Sequence, residues 1–415
     1  MKKAITNIIQ VWWNEVRQVL HDGGLIIFAL IVPLAYPLLY SFIYNNEVVR
    51  EVPVAVVDEC HSELSREFVR KVDATAEVDV LYHCDMAEAQ ELMRQEKVYA
   101  IMRIPNSFSR DLAKCRQAQI GYYSDMRCML YYKAGLMAAS FVSLDMNRDI
   151  KVNNYLRAST DRQAEILKTP VINEYVPMYN PQSGFASFNI PAVMMLMIQQ
   201  LLCLTLGMSM GSFREQNAGA VIPLRLRGYK SPLCIVLGKT LFYFPLFLLI
   251  AIYMYAFVTP CFSLPRLADY GTFLVFVTPY VLSCVFMAIT WSGCVFRRED
   301  TMLLFVFMSL ILLFLSGMSW PVAAEPTFWK YVSYIFPSTF GMHGYVRLMG
   351  TGCSLHDVAW EFRSLWYLTA FYFATSCLLY RYELLKMISR VISLRAKFSQ
   401  RRARVRMRIK TIRRR

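Results

Sequence analysis

Long apolar segments constrain the fold of this 415-residue chain more than any other feature of its sequence. A helix needs about twenty mostly apolar residues to cross the hydrocarbon core of a bilayer. Charged residues make up only 18% of the chain and hydrophobic residues 56%, which departs from the composition of soluble domains. We therefore expect an α-helical polytopic membrane protein with about six transmembrane helices. The predicted spans are residues 25–44, 188–210, 234–258, 270–296, 302–318 and 365–380.

Basic residues between the spans are concentrated on one side. The short loops on the opposite side hold only Arg266, Lys330, Arg347 and Arg363. Because Lys and Arg are retained on the cytoplasmic side, both termini are predicted to lie in the cytoplasm and residues 45–187 outside it. The basic residues assigned to the cytoplasmic side before the C-terminal tail are Lys2, Lys3, Arg17, Arg214, Arg225, Arg227, Lys230, Arg297 and Arg298.

Residues 1–24 have the pattern of an amphipathic helix lying on the inner membrane surface. Glu15 and Gln18 fall among its polar positions. Two interpretations remain open, a simple anchor or an elbow helix that also contacts a cytoplasmic partner. Its apolar positions are Ile5, Ile8, Ile9, Trp12, Trp13, Val16, Val19 and Leu20.

Residues 381–415 form a strongly basic tail. This segment contains fourteen Lys or Arg residues and one acid, Glu383, and it accounts for most of the net charge of +15. A basic run directly after an apolar helix favours anionic lipid headgroups over nucleic acid as its partner. We therefore predict a cytoplasmic tail that binds anionic lipids and no nucleic acid.

Residues 45–187 change to alternating short strands and polar helices, which predicts an inserted extracytoplasmic α/β domain. Asp85 is expected to cap one of its helices, with Glu88 three residues later. The domain has no recognisable serine, histidine and acid motif, so binding or docking is the expected role. The predicted strands are residues 53–57, 78–82, 99–103 and 119–123, and the predicted helices are 62–74, 86–97 and about 128–167.

Cysteines in this domain are candidates for disulfide bonding if the compartment is oxidising. Those candidates are Cys60, Cys84, Cys115 and Cys128, and unpaired thiols are the alternative, because spacing does not fix connectivity. Cys60 and Cys84 each neighbour a histidine, but their spacing matches no standard zinc motif. No metal site is predicted.

The six predicted spans contain no Asp or Glu, and Lys239 lies near the cytoplasmic end of its span. Ion-coupled carriers usually place an ionisable group or a broken helix at membrane depth, and no clear candidate for either is present. The sequence also lacks the phosphate-binding loop that holds nucleotides. We expect that this chain binds no cofactor and that a separate subunit supplies the energy for any uphill transport.

Several local patterns occur in an order that resembles the type-2 ABC transporter permeases, in the branch with a large extracytoplasmic domain after the first transmembrane helix. The resemblance covers nearly the whole chain. The segments that carry it are Val54–Asp58, Ser65–Arg66, Tyr99–Pro105, Phe108–Ser109, Asn180–Pro181, Arg214–Glu215, Gly238–Lys239, Leu315–Gly317, Trp320–Pro321 and Phe336–Thr339.

The resemblance implies the permease subunit of an ATP-binding cassette exporter in the bacterial plasma (inner) membrane. It implies no enzymatic activity of the chain itself, because cytoplasmic ABC ATPase subunits bind ATP and Mg. A second copy or a related permease and a periplasmic adaptor are the further partners it suggests. The alternative is a non-transporting membrane scaffold or receptor whose outer domain binds an envelope partner, while an intramembrane enzyme lacks buried acids or a metal motif.

The resemblance also assigns roles to two segments. In the coupling loop 211–231, the candidates for ATPase contact are Arg214, Glu215, Gln216 and Asn217; the simpler interpretation is retention of positive charge in the cytoplasm. The proline- and aromatic-rich segment 319–348 is predicted to be re-entrant or interfacial and to close the path at the outer surface, or else to form only an aromatic belt. The candidates for this outer gate are Gly317, Trp320, Pro321 and Pro337.

Overall fold

The computed structural model describes residues 2–45, 48–114, 116–155, 180, 184–216, 231–318, 320 and 324–385. Two compact units are present, a helical unit of Met1–Asn45 with Met178–Arg415 and an α/β unit of Asn46–Pro177. The α/β unit contains helices α3 Glu63–Asp73, α4 Met86–Arg94, α5 Phe108–Ala113 and α6 Met129–Tyr155. The helical unit contains α1 Lys2–His21, α2 Gly23–Ile43, α7 Phe185–Gln216, α8 Pro232–Cys261, α9 Tyr270–Ser292, α10 Arg298–Leu315, α11 Thr327–Ser333, α12 Pro337–Thr351 and α13 at residues 359–385.

Four helices in the described part of the chain are long and apolar enough to cross a membrane. They are α2, α7, α8 and α9, which coincide with the first four predicted spans. Helix α9 ends at Ser292, so the predicted continuation to residue 296 is wrong, and the chain turns there before α10. The other two predicted spans fall on α10 and α13, and the total of six spans stays a prediction.

Helices α2 and α8 each contain one π-helical turn, which lies shortly before Pro33 in α2 and before Pro260 in α8. Proline lacks an N–H group, and its ring collides with the carbonyl four residues earlier. The π-helical turns are Ile27–Ile31 in α2 and Met254–Val258 in α8. Helix α2 continues past Pro33 to Ile43, whereas α8 ends at Cys261, one residue after Pro260.

Helix α7 is the central element of the helical unit. Every residue of its most apolar stretch is buried, and its neighbours are mainly α9, α10 and α12. The side chain of Gln199, fully buried in α7, accepts a hydrogen bond from the backbone N–H of Ser338 at 2.7 Å and donates one to the Ser338 hydroxyl at 3.1 Å. These two bonds fix the start of α12 against the middle of α7.

The α/β unit is built on one sheet with β1 at its centre. Its strands β1 Val52–Asp58, β2 Val78–His83, β3 Ala100–Ile104 and β4 Gly121–Ser124 lie in the order β2-β1-β3-β4, with β1 parallel to β2 and β3, and β4 antiparallel to β3. Val54 and Val56 pack on one face with α3 and α6, and Ala55 and Val57 on the other face with α4. Burial on both faces explains the continuous apolar run of β1.

The sequence prediction of this unit agrees with the structure in its strands and in two of its helices, whereas α5 was not predicted. All four strands lie within about two residues of their predicted bounds, and the helices at 62–74 and 86–97 are present as α3 and α4. The third predicted helix, at about 128–167, is present as α6 up to Tyr155, and residues 156–167 lie outside the described residues. Asp85 caps α4 as predicted, because its carboxylate accepts the backbone N–H of Glu88 at 2.8 Å. The placement of this unit outside the cytoplasm stays a prediction.

Candidate functional site

Charged side chains of the helical unit gather where α1, α7, α8, α10 and α13 come together. We call this set the ionic junction. Its members are Glu15, Asp22, Arg214, Glu215, Lys239, Arg298 and Glu383.

Arg214 lies inside the ionic junction and is only 5% exposed. Its guanidinium donates to the backbone carbonyls of Gly293, at 2.9 Å, and Val295, and its central carbon lies 4.8 Å from the ring centre of Phe296. The carboxylate of Glu383 in α13 is 3.8 Å away. Arg214 therefore links the end of α7 to the turn between α9 and α10 and to α13, and these contacts are all within the chain.

Glu215 and Gln216 are exposed at the end of α7. The Glu215 carboxylate accepts the backbone N–H of Arg298 at 2.9 Å, so a negative charge lies at the N-terminus of α10, where the helix dipole favours it. The Gln216 amide donates to the Ser212 hydroxyl at 3.3 Å. Asn217 lies outside the described residues. The coupling roles stay predictions, and the geometry leaves the two exposed side chains, not Arg214, available to a partner.

Asp22 connects the corner between α1 and α2 to α10. Its two carboxylate oxygens pair with the two terminal nitrogens of Arg298 at 2.8 and 3.0 Å. One of the same oxygens accepts the backbone N–H of Gly24 at 3.0 Å and so caps α2. A two-bond arginine–carboxylate pair fixes orientation as well as distance.

Glu15 is buried, although the sequence pattern placed it on the polar face of α1. It is 3% exposed, and it lies in one stripe with Val11 and Val19 against the bundle. Its carboxylate contacts the Lys239 ammonium at 2.6 Å and the Tyr243 hydroxyl at 3.1 Å. The spacing of Val11, Glu15 and Val19 by four residues was the signal in the sequence, but the acid in the middle position hid it.

The outer-gate candidates lie in different environments. Gly317 follows the end of α10 with a φ of 74°, a left-handed conformation that glycine adopts without strain. Trp320 is 59% exposed, Pro337 is buried at the start of α12, and Pro321 lies outside the described residues. Segment 319–348 contains α11 and most of α12. Both interpretations of this segment, gate and aromatic belt, stay open.

A comparison with models of protein families identifies the family of this chain. A model described as ABC-2 family transporter protein matches residues 24–378. The chain belongs to the ABC-2 transporter family. It is therefore a multi-pass membrane protein and a permease component of an ABC transporter, in a family whose members associate with ABC ATPase subunits. A search of curated protein sequences finds no match.

Cysteines of the ABC-2 permease are unpaired where the structure describes them. Cys60 packs against the α3 and α6 side of the sheet, whereas Cys84 packs against the α4 side. The sheet thus separates these two thiols, and the structure does not join them in the disulfide considered from sequence. Cys128 is also a free thiol, and Cys115 lies outside the described residues.

The pKa values of the Cys60 and Cys84 thiols of the ABC-2 permease are shifted in opposite directions. Burial raises the pKa of the Cys84 thiol, and the nearby Glu88 and Asp85 carboxylates add to the effect. Burial acts in the same direction on Cys60, but hydrogen bonds between Cys60 and the residues Ser109 and Ser62 outweigh it and lower the pKa of that thiol. His61, His83 and Cys84 line one open groove, and no metal-binding group of three ligands forms among the described residues.

Proposed function

We propose that this ABC-2 permease forms the substrate path of an exporter and that a separate cytoplasmic ATPase drives it by docking beside the ionic junction. The family match over residues 24–378 is the observation that carries the proposal. The proposal includes both termini in the cytoplasm of a bacterial inner membrane, the α/β unit outside, and pairing with a second copy or a related permease. The apolar spans favour amphipathic molecules such as lipids or drugs as substrates.

The end of α7 is the proposed point of contact. Glu215 and Gln216 are exposed there, and they lie one and two residues after Arg214, whose buried bonds reach α13 and the turn before α10. A partner that pushes on these exposed side chains would displace α7 together with its bonded neighbours. A rigid, bonded element transmits such a displacement as a rigid-body movement.

A test requires this permease reconstituted in proteoliposomes with its cognate ABC ATPase, identified by co-purification. We expect wild-type permease to stimulate ATP hydrolysis, and the Gln216→Ala variant to bind the ATPase about fivefold more weakly, as loss of about 1 kcal/mol of contact energy would give. The matched control is Gln95→Ala, which removes another exposed amide, from the α/β unit.

The outcomes separate the proposed transporter from the scaffold or receptor. Wild-type permease that neither binds nor stimulates the ATPase would contradict the transporter and favour the scaffold. Stimulation that is as sensitive to Gln95→Ala as to Gln216→Ala would contradict the assignment of the contact to the end of α7.

A further inference from the structure

Helix α1 is bonded to the rest of the helical unit at both ends of its second half. At its C-terminal corner, Asp22 forms the two-bond pair with Arg298 of α10. Two turns earlier, Glu15 contacts Lys239 of α8. Helix α1 therefore connects α8 with α10, two helices that are separated in the chain by α9.

The contact between Glu15 of α1 and Lys239 of α8 is buried, and both carboxylate oxygens of Glu15 are hydrogen-bonded. Glu15 and Lys239 are 3% and 4% exposed, and the two oxygens of the carboxylate bond to Lys239 and to Tyr243 separately. The Lys239 ammonium also lies 5.5 Å from the ring centre of Phe213 in α7. Each charged group thus has a specific neighbour, which is the condition under which buried charges persist.

The backbones of α1 and α8 also approach each other closely, at Gly238 of α8. A side-chain carbon added at Gly238 would lie 2.5 Å from the Cβ of Val11 and 2.9 Å from the carbonyl oxygen of Ile8. Only glycine leaves room for α1 at this distance. The Gln18 amide adds a bond of 3.0 Å to the carbonyl of Ser209 in α7.

Stability alone does not account for the buried pair. Replacing a buried ion pair with apolar side chains of similar volume is often neutral or stabilising, because removing two charges from water is costly. What apolar side chains do not provide is a directional contact that fixes the rotation and the register of α1 on α8. The pair is therefore better explained by positioning than by stability.

We propose that α1 acts as a brace, which transmits movement from the end of α7, where Glu215 and Gln216 are exposed, to α8. In this brace, Glu15 and Lys239 are positioning residues. The route runs from Glu215 to the backbone of Arg298, from the Arg298 side chain to Asp22, along α1, and from Glu15 to Lys239. This inference rests on the proposed function, since a coupled ATPase must supply the movement.

The decisive variant is the double substitution Glu15→Met with Lys239→Met. It removes both charges together and leaves the proposed ATPase contact at the end of α7 untouched. We expect at most a modest loss of thermal stability, from the buried Tyr243 hydroxyl that loses its acceptor, and unchanged ATPase binding. Permease-stimulated kcat for ATP hydrolysis should fall about fivefold or more, as for a typical coupling between distant sites. The KM for ATP should not change, because the nucleotide site lies in the partner.

Two further variants distinguish bracing from packing. Exchanging the charges with Glu15→Lys and Lys239→Glu should restore part of the lost stimulation, since the ionic contact is re-formed in reverse. Combining Asp22→Asn with the double Met variant should lower kcat no further than the larger of the two effects, because both act on one route.

Three results would overturn the brace. They are undiminished stimulation by the double Met variant, no restoration by the exchanged charges in a protein that folds and binds the ATPase, and additive losses when Asp22→Asn is included. Failure of the proposed function would appear differently, as wild-type permease that does not stimulate the ATPase at all.

Discussion

Each unit of the permease contains a close ion pair between a lysine and a carboxylate, but one pair is exposed to water and the other is buried. In the α/β unit, Lys71 lies 2.8 Å from Asp145, with the two side chains 30% and 59% exposed. In the helical unit, Lys239 lies 2.6 Å from Glu15, with the two side chains 5% and 4% exposed. Water screens the first pair and is excluded from the second, so similar distances do not imply similar energies.

The comparison shows how each unit uses charge. Surface ion pairs of the α/β unit contribute little to its stability. This unit is stabilised mainly by the two apolar layers that cover the faces of its sheet. Three charges of the ionic junction, those of Glu15, Arg214 and Lys239, are buried. Burial of a charge is costly, so each of the three must keep its partner. Removal of one partner of the ion pair should therefore give the largest difference between the two units in lost stability.

Replacing one lysine in each unit gives the largest expected difference. Lys239→Ala leaves the buried Glu15 carboxylate without its cation and should destabilise the helical unit by about 3–5 kcal/mol. Lys71→Ala should cost about 1 kcal/mol or less, because its partners remain exposed to water. Denaturant unfolding of the purified permease in detergent, followed for each unit by a separate probe, measures both.

The outcome of this pair of variants tests the comparison directly. Equal losses of stability in the two variants would show that burial of the junction charges does not matter. Lys239→Met is a useful companion, because it keeps the apolar stem of the side chain and so isolates the missing charge.

A smaller effect is expected from the closest backbone contact of α1. Gly238→Ala places a methyl group against Val11, and overpacking of this kind costs about 1–3 kcal/mol. Gly271→Ala is the matched control, since a methyl group there meets no atom within 4 Å. Thermal unfolding in detergent should show a lower midpoint for Gly238→Ala only. A Gly238→Ala midpoint equal to that of wild type would mean that α1 moves away from α8 at no cost.

Sequence reasoning predicted the α/β unit better than the ionic junction, and the reason is local. Strands and helices of the α/β unit follow from short patterns, such as the apolar run of β1 and the cap at Asp85. The pair of Glu15 with Lys239 joins residues 224 positions apart, and no local pattern indicates it. The amphipathic pattern of α1 even assigned Glu15 to the wrong face, because a buried acid is indistinguishable in sequence from an exposed one.

Arg214 shows the same limit from the opposite direction. Its position at the end of a span led to its prediction as a candidate for ATPase contact in the coupling loop, a role that stays a prediction, but sequence alone gave no reason to bury it. Only the fold brings the carbonyls of Gly293 and Val295 within its reach. Contacts made by turns and distant helices therefore decide whether such a residue is free for a partner.

The smallest expected effect sharpens the comparison within the α/β unit, where polar contacts rather than burial distinguish two thiols. Thiolate is the reactive form, so the lowered pKa of Cys60 should make it react with maleimide at least about twofold faster than Cys84 at neutral pH. The difference should narrow as the pH rises, because Cys84, whose pKa is raised, ionises only at higher pH. Peptide mapping by mass spectrometry after timed labelling measures both rates.

Ser109→Ala provides the control for this prediction. The Ser109 hydroxyl oxygen lies 3.4 Å from the Cys60 sulfur, and its removal should raise the pKa of Cys60 and slow its labelling at neutral pH. Labelling of Cys84 should not change, since that thiol lies on the other side of the sheet. Faster labelling of Cys84 than of Cys60 at neutral pH would show that burial, which acts alike on both thiols, outweighs the hydrogen bonds that distinguish them.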